Sequence, residues 1–411
     1  MRSAAKKIIT AVLILFFLSS SLLFAEVFEY RHVKDAQYRI LSVVDQAVFI
    51  NGVLSHRAET LNRIAVEVTD VRNGNGIHKA VFQTSERIVY DSQNRLNTAV
   101  SGFHWTMEYE SEFERDRLGR LTIAPQYFMP VVRNVPTFPG RDLSVGDRWY
   151  SEGHEVHDFR GEPFRIAEPY NIPFNAFYEY IGEREWKGKN YPAFSITYNI
   201  ESRPPAVRGN LYPVRISGSF NQLVYWDREA GQERAYTEEF RLTFYLSSGD
   251  RIEYRGTAEA EYVESETMNR HQLVSEIAGE IERLDMGNIQ VTATDEGISI
   301  SLENIQFYAD SDVMLPGEQE KLAKIAEILL RYPQRDILVA GHTALSGTAE
   351  QRMALSQDRA RAVAGYLLSR NVRTPDRIVI RGYGAEKPVA DNGTQEGMSR
   401  NRRVEIILLE N

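Results

Sequence analysis

The hydrophobic period of the chain changes near residue 266, and this change constrains the fold more than any other feature of the sequence. Before that point apolar residues recur at every second position, which is the period of a β-strand. Within 103–114, for example, apolar and acidic side chains alternate, as in a strand with one solvated face. After residue 266 the spacing becomes helical, first at Val274, Ile277 and Ile281. The sequence therefore predicts an α+β protein with an N-terminal antiparallel β-rich domain.

The end of the β-rich region indicates an antiparallel meander. Three strands are predicted at 214–227, 234–246 and 251–264, and the connections between them carry turn residues. Such strands fit a soluble sandwich or half-barrel, with the apolar face in a core, or a transmembrane barrel, with that face toward lipid. A closed barrel needs every strand to be paired, whereas the sequence shows only about half a dozen clear strands. We therefore expect the soluble form.

Composition excludes several classes of function. The chain has 48 basic and 57 acidic residues and a formal net charge of −9, so electrostatic capture of nucleic acid is not expected. It has no cysteine, which excludes disulfides, thiolate nucleophiles, cysteine-ligated zinc and a lipid anchor on cysteine. The sequence also lacks a nucleophile elbow, a P-loop, an HExxH motif and a dinucleotide-binding fingerprint. We therefore expect neither an enzyme nor a bound cofactor or metal.

The N-terminus has the pattern of an export signal. Several basic residues precede an uncharged, Leu- and Phe-rich stretch at 8–25, and Glu26 follows directly. We predict a signal peptide at 1–25 that is cleaved near Ala25, which places the protein in the periplasm or at the outer membrane. The alternative is an uncleaved helix that anchors the chain, because the stretch is close to the shortest length that spans a bilayer.

Two groups of polar residues in the β-rich region are weak candidates for a site. His154, His157 and Asp158 have the residue types of metal ligands, but imidazoles three positions apart converge only on a helix, and the neighbouring sequence favours strand or loop. The acidic residues from Glu108 to Glu114 could supply paired carboxylates for glycoside hydrolysis. They equally fit the solvated face of a strand, which is the interpretation we favour.

The region after residue 266 alternates helices with strands. An amphipathic linker helix is predicted at 267–284, followed by a hairpin with strands at 289–293 and 298–302. Two longer helices follow, and the capping box Thr348-x-x-Gln351 opens the second. The remaining predicted strands are 336–341, 377–382 and 403–409. The order βαβαββ predicts an α/β sandwich with its helices on one face of the sheet.

Five motifs in this region occur in an order and spacing that are highly specific. They are NIQFYADSDVMLPGEQEKLAKIAEIL (304–329), VAGHTALSG (339–347), LSQDRARAVAGYL (355–367), IVIRGYGAEKPVADN (378–392) and NRRVEIILL (401–409). Together they resemble the OmpA-like peptidoglycan-binding domain family, over 284–411. We accordingly predict a signal peptide at 1–25, a β-rich domain at 26–266, a linker helix at 267–284 and an OmpA-like domain at 285–411.

Members of this family hold the peptide stem of peptidoglycan without cutting it. In members that bind meso-diaminopimelate, an Asp directly after Gly-His/Tyr-Thr takes the ammonium group, and the Arg of Leu-Ser-x-x-Arg-Ala pairs with a carboxylate. The resemblance implies the second role for Arg359, whereas Ala344 stands at the position of the Asp. By the same motif matches, the residues expected at the pocket are Phe307, Asp310, Ser311, Thr343, Ala344, Ser356, Arg359, Asn401 and Arg402.

The expected function is that of a noncatalytic cell-envelope protein that binds the stem peptide and tethers the β-rich domain to the wall. Because Ala344 cannot balance an ammonium, we expect an atypical ligand preference: either a stem whose diamino acid differs from meso-diaminopimelate, or weak binding through Arg359 and backbone groups. Other envelope proteins are further expected partners. Two alternatives stay open, namely an outer-membrane β-barrel pore or anchor with a periplasmic OmpA-like domain, and an OmpA-like fold that has lost its ligand. Some polar residues also fit plain structural roles, among them Ser356 on a backbone carbonyl and Arg403 paired with Glu405.

Overall fold

The computed structural model describes residues 25–91, 103–264, 269–287, 289–294, 296–303 and 314–409. The predicted signal peptide lies outside the described residues except for Ala25, and so do Phe307, Asp310 and Ser311 of the predicted pocket. In the described part of the chain, no helix is both long and apolar enough to cross a membrane. The predicted β-rich N-terminal region is confirmed.

One antiparallel sheet accounts for most of the N-terminal region. Its strands are β1 (Gln37–Ile50), β2 (Val53–Arg72), β3 (Asn75–Asp91), β4 (Phe103–Arg115), β5 (Leu121–Ile123), β6 (Val132–Arg133), β7 (Arg148–His157), β8 (Tyr170–Trp186), β9 (Lys189–Ser202), β10 (Pro213–Asp227), β11 (Gln232–Leu246) and β12 (Arg251–Glu264). β1 is central, so that Val44 lies opposite both Thr60 on β2 and Ala258 on β12. Strands β2 to β5 extend the sheet on one side, and β12 back to β6 extend it on the other. β5 pairs with β4 at one end of this series of strands, and β6 pairs with β7 at the other end.

The predicted meander is confirmed by strands β10, β11 and β12. The sheet nevertheless contains more strands than the sequence indicated. In β9, for example, the four residues from Tyr191 to Phe194 are all buried. A run that is buried on both faces has no alternation and is ambiguous in sequence, although the second half of β9 does alternate.

Aromatic side chains fill the core of the β-rich region. The ring centroid of Phe138 lies 4.7 Å from that of Trp226 and 5.3 Å from that of Phe194, and both contacts are edge to face. Phe174 stacks on Tyr198 with a centroid distance of 4.1 Å. Such pairs contribute about 0.5–1.5 kcal/mol each beyond the burial of their surface. This cluster fixes the loop that carries Phe138 onto β9 and β10.

The C-terminal region contains a mixed sheet. Its elements are α1 (Arg270–Arg283), β13 (Ile289–Ala293), β14 (Gly297–Glu303), α2 (Pro316–Leu329), β15 (Ile337–Gly341), α3 (Ala349–Ser369), a single 3-10 turn (Pro375–Arg377), β16 (Ile378–Gly382), α4 (Gln395–Asn401) and β17 (Arg403–Leu409). The strand order is β13-β14-β17-β15-β16, in which only β15 and β16 run parallel. The predicted order βαβαββ lacks the short helix α4. Met398 is the only large apolar residue in α4, so the sequence has no helical period there.

Helix α1 belongs to the C-terminal core. Ile277 and Ile281 are buried in the same cluster as Leu322 of α2 and Val363 of α3. The helix that the sequence assigned to a linker therefore packs against the C-terminal sheet. We propose that the domain boundary lies before Arg270 and not at residue 285.

The β-rich region lies directly against the C-terminal sheet. The start of β4 pairs with β16 in parallel, with Phe103 opposite Val379 and His104 opposite Ile380. The amide Nε2 of Gln357 on α3 lies 2.9 Å from Nδ1 of His104. β4 thus extends the C-terminal sheet by one strand and contacts the helix that carries Arg359.

A buried ion pair joins the two regions. The Nη2 atom of Arg63 on β2 lies 2.9 Å from Oδ2 of Asp336, which directly precedes β15, and each side chain is 6% exposed. The other oxygen of Asp336 accepts a hydrogen bond from Nε of Arg377 at 2.7 Å. One carboxylate therefore binds a guanidinium group from each region.

We expect the Asp336→Ala variant to be strongly destabilised. The substitution removes the acceptor that both guanidinium groups share, and breaking a buried pair of this kind costs about 3–5 kcal/mol. Urea unfolding should show this loss in the free energy of unfolding. Arg57→Ala, which changes an exposed arginine of the same strand as Arg63, is the matched control and should stay within about 0.5 kcal/mol of wild type. Wild-type stability of Asp336→Ala would contradict this role of the ion pair.

Candidate functional site

The predicted pocket residues Thr343 and Ala344 follow the end of β15. Both are buried, with exposed fractions of 6% and 5%. Their backbone is held from two sides, because the N–H of His342 donates to the carbonyl of Arg403 at 2.9 Å and the N–H of Thr343 donates to the carbonyl of Gly384 at 2.8 Å. The strand end is therefore fixed between β17 and the turn after β16.

Ser356 fastens α3 to this strand end. Its buried hydroxyl donates to the carbonyl of Met353 at 2.8 Å and accepts from the N–H of Gly384 at 2.9 Å. The helix also passes so close to β15 that a Cβ atom on Gly341 would lie 2.0 Å from the carbonyl oxygen of Ser356, so only glycine fits there. Both partners of the hydroxyl are backbone groups, which is a structural role.

Asn401 supports the other side of the strand end. Its Oδ1 accepts from the N–H groups of Val389 and Ala390 at 2.8 and 3.0 Å, and its Nδ2 donates to Oδ1 of Asn392 at 2.9 Å. Asn392 in turn accepts from the N–H of Leu345 at 3.1 Å. The side chain of Asn401 is fully buried, so it holds two loops together. Asn392 was not among the predicted residues, although it ends one of the five motifs.

The predicted pocket contains two arginines among the described residues. Arg359 is half-buried and lies on α3 one turn after Ser356. Because positions three apart lie on the same side of a helix, Arg359 lies on the side of α3 that meets the end of β15. Arg402 is also half-buried, directly after α4, and its N–H donates to the carbonyl of Met398 at 3.2 Å.

His342 is buried and neutral. Its ring stacks on that of Tyr383, with centroids 5.1 Å apart and 8° between the planes. Burial, followed by the positive charges of Arg403 and Lys387, lowers the pKa of His342 to about 2. The imidazole therefore adds no charge to the strand end at neutral pH. The predicted pairing of Arg403 with Glu405 is confirmed, with Nε and Oε1 2.6 Å apart.

The first of the two weaker candidates in the β-rich region lies at the end of β7. His154 and His157 lie on β7, where residues an odd number of positions apart point to opposite faces. Nε2 of His157 lies 2.9 Å from Oε2 of Glu155. Among the described residues, no group of three or more His, Asp or Glu side chains could hold a metal ion.

The acidic row on β4 is mainly a solvated face. Glu108, Glu110 and Glu112 are exposed. Glu108 lies 3.6 Å from Nη1 of Arg381 on β16, and Glu114 accepts a hydrogen bond from Asn75 at 2.6 Å. These contacts support the sheet and the junction between the two regions.

Comparison with known proteins assigns the C-terminal region to a family. Residues 306–402 match the model of the OmpA family. Over 121 residues the chain is 36% identical to the probable lipoprotein YiaD of Escherichia coli, and the alignment covers 29% of this chain and 55% of that protein. Over 106 residues it is 40% identical to the peptidoglycan-associated lipoprotein of Brucella melitensis, with coverages of 26% and 62%.

A third relative shares the same region. Over 104 residues the chain is 36% identical to the peptidoglycan-binding protein ArfA of Mycobacterium bovis, and the alignment covers 25% of this chain and 32% of that protein. The chain thus spans between 32% and 62% of the length of these three relatives. Each alignment covers less than a third of this chain.

We expect His342 to make the stability of the chain depend on pH. Above about pH 6.5 the imidazole is neutral in both the folded and the unfolded state and has no effect. Below that pH only the unfolded state binds the proton, because the folded pKa is about 2. The free energy of unfolding should therefore fall by up to about 1.4 kcal/mol per pH unit as the pH is lowered from 6.5.

Urea unfolding at several pH values between 5 and 8, for wild type and His342→Phe, measures this dependence. The difference between the two free energies of unfolding should change below pH 6.5 and stay constant above it. A difference that stays constant over the whole range would show that the folded and unfolded states bind this proton equally well, and would contradict the prediction.

Proposed function

Because residues 306–402 form an OmpA family domain, we propose that this chain is a noncatalytic cell-envelope protein that binds peptidoglycan through that domain. The family match is the observation that carries the proposal. It is supported by the identity to relatives whose names describe them as peptidoglycan-associated and peptidoglycan-binding. The two alignments cover 26% and 25% of this chain.

Arg359 is the residue that we propose to hold the ligand. A guanidinium group presents a planar fork of donors that matches a carboxylate. Arg359 is half-buried, and partial exclusion of water strengthens a charged hydrogen bond. The group it would bind is a carboxylate of the stem peptide.

Ala344 sets the expected ligand preference. A methyl group at this buried position can neither accept a hydrogen bond nor balance an ammonium group. A zwitterionic side chain such as that of meso-diaminopimelate would lose one of its two charge partners, a loss of about 1–3 kcal/mol. We therefore propose a stem whose diamino acid differs from meso-diaminopimelate.

Binding of the C-terminal domain to peptidoglycan would also position the β-rich region. It is joined to the C-terminal sheet by the pairing of β4 with β16 and by the contact of Arg63 with Asp336. Binding of the C-terminal domain to peptidoglycan would therefore hold the β-rich region at a defined place. The proposed location is the periplasm or the outer membrane, reached through the export signal at 1–25.

A pulldown with purified sacculi from the native source tests the role of Arg359. The Arg359→Ala variant should bind about ten- to a hundredfold more weakly than wild type, because a hydrogen bond to a charged group contributes about 1.5–3 kcal/mol. Arg361→Ala is the matched control, since Arg361 is exposed on the same helix and pairs with Asp358 at 2.5 Å. Equal retention of wild type and Arg359→Ala would remove Arg359 from the proposed site.

Substitution of Ala344 tests the ligand preference. Ala344→Asp should increase retention on sacculi with meso-diaminopimelate in their stems by about tenfold, because the new carboxylate balances the ammonium group. The Ala344→Asn variant introduces a side chain of nearly the same shape as Asp but without its charge. Its retention on these sacculi should increase less than that of Ala344→Asp. If the two variants bind alike, the charge at position 344 does not determine the preference.

A further inference from the structure

The N-terminal region contains an open cavity of about 660 Å³. Strands β1 to β4 and β10 to β12 line it, and the segment 128–136 and the end of β7 complete the wall. Small-molecule sites typically have volumes of about 300–1,000 Å³. The cavity shares no lining residue with the end of β15, so it is a site distinct from the proposed peptidoglycan site.

Most side chains that line the cavity are apolar or aromatic. They include Ile64 and Val66 on β2, Phe82 on β3, Phe113 on β4 and Val224 on β10. Three of them, Val66, Phe82 and Phe113, belong to one buried hydrophobic cluster. Walls of this kind favour a ligand with an apolar body, because apolar surface on both partners leaves water on binding.

Hydrogen bonds hold the segment 128–136 against the sheet. The buried hydroxyl of Ser111 on β4 donates to the carbonyl of Met129 at 2.7 Å. The Oδ1 atom of Asn134 accepts from the N–H of Leu121 at 2.8 Å. The cavity is therefore bounded by fixed backbone on this side.

Two carboxylates that line the cavity have cationic neighbours within the protein. Glu233 accepts from the hydroxyl of Tyr30 at 2.6 Å and lies 3.9 Å from Nη1 of Arg115. Asp158 pairs with Arg160, whose Nη2 lies 2.6 Å from Oδ2 of Asp158. These two negative charges are therefore at least partly balanced.

Glu238 on β11 has a different environment. Its hydrogen bond comes from the neutral amide of Gln222. Burial, reinforced by the negative charge of Glu155 and opposed by the bond from Gln222, raises the pKa of Glu238 to about 7. In the described part of the chain no cation is among the causes that shift this pKa. A positive group placed in the cavity beside Glu238 would stabilise its ionised form.

We propose that this cavity binds a small amphiphile whose apolar body packs against the apolar walls and whose protonated amine pairs with Glu238. An ammonium group supplies a positive charge and three hydrogen-bond donors to the carboxylate. An alcohol could satisfy only the hydrogen bond. A fatty acid would bring a third negative charge close to Glu238 and Glu155.

The affinity for an amine should depend on pH. Other titratable or charged groups face Glu238 or line the same cavity on the surrounding elements: Tyr38 on β1, Tyr109 and Arg115 on β4, Glu155 and His157 on β7, Asp158 after β7, Tyr198 on β9, Glu233 and Tyr236 on β11, and Tyr262 on β12. The ammonium group binds the ionised carboxylate, so the affinity should rise as the pH rises through about 7 and fall below it. A Glu238→Gln variant keeps the other groups and isolates the contribution of Glu238.

Isothermal titration calorimetry of the full chain with n-octylamine and n-octanol tests the proposal. For wild type at pH 8, octylamine should bind at least about tenfold more tightly than octanol, because a charged hydrogen bond adds about 1.5–3 kcal/mol to the apolar contacts that both ligands make. At pH 6 the affinity for octylamine should be about tenfold lower, because only about a tenth of Glu238 is then ionised. The affinity for octanol should not change.

Two variants test whether the ammonium group of octylamine pairs with Glu238. Glu238→Gln should bind octylamine no more tightly than octanol, at both pH values, and circular dichroism checks that the variant is folded. Glu239→Gln changes the next residue, which is exposed on the other face of β11, and should behave as wild type. The proposal is overturned if wild type binds neither compound, binds both equally, or keeps its preference for octylamine in Glu238→Gln.

Discussion

The carboxylate of Asp336 holds the two regions of the chain together. It binds Arg63 from the β-rich sheet and Arg377 from the turn before β16. A buried carboxylate is costly to desolvate, so this arrangement is stable only while its cationic partners stay in contact. That requirement fixes β2 beside the start of β15, and the same junction contains the pairing of β4 with β16. Because α1 also packs in the C-terminal core, the two regions are not connected by a free helix.

The sequence predicted the C-terminal fold more fully than the N-terminal one. Helices α2 and α3 have clear helical periods and α3 has a capping box, whereas β9 contains four successive buried residues before its alternation starts. The spacing of Ile277 and Ile281 indicates an apolar side of α1 but not the surface that covers it. α4 has almost no apolar residues and depends on its cap, Thr394, and on the buried Asn401.

At the candidate site, too, the sequence predicted where residues lie but not what their side chains contact. Motif position placed Ser356 and Asn401 at the pocket, but the partners of their side chains are backbone groups and Asn392, which are distant in sequence. Polar side chains near a motif serve either a ligand or the backbone, and only the contacts distinguish the two. The prediction for Ala344 needs only its position in the motif, because the residue type there is a property of the sequence. The cavity beside Glu238 has no sequence signal, since ten strands contribute to its wall.

The edge of the C-terminal sheet is covered by the chain's own strand β4. Val379 and Ile380 on β16 are both completely buried and lie opposite Phe103 and His104. An apolar strand edge with open N–H and carbonyl groups is a template for strands of other molecules, and natural proteins cover or charge such edges. A fragment that lacks the β-rich region would uncover this edge and become prone to stack into aggregates. In the intact protein β4 therefore keeps this edge from pairing with other molecules and helps to keep the protein soluble.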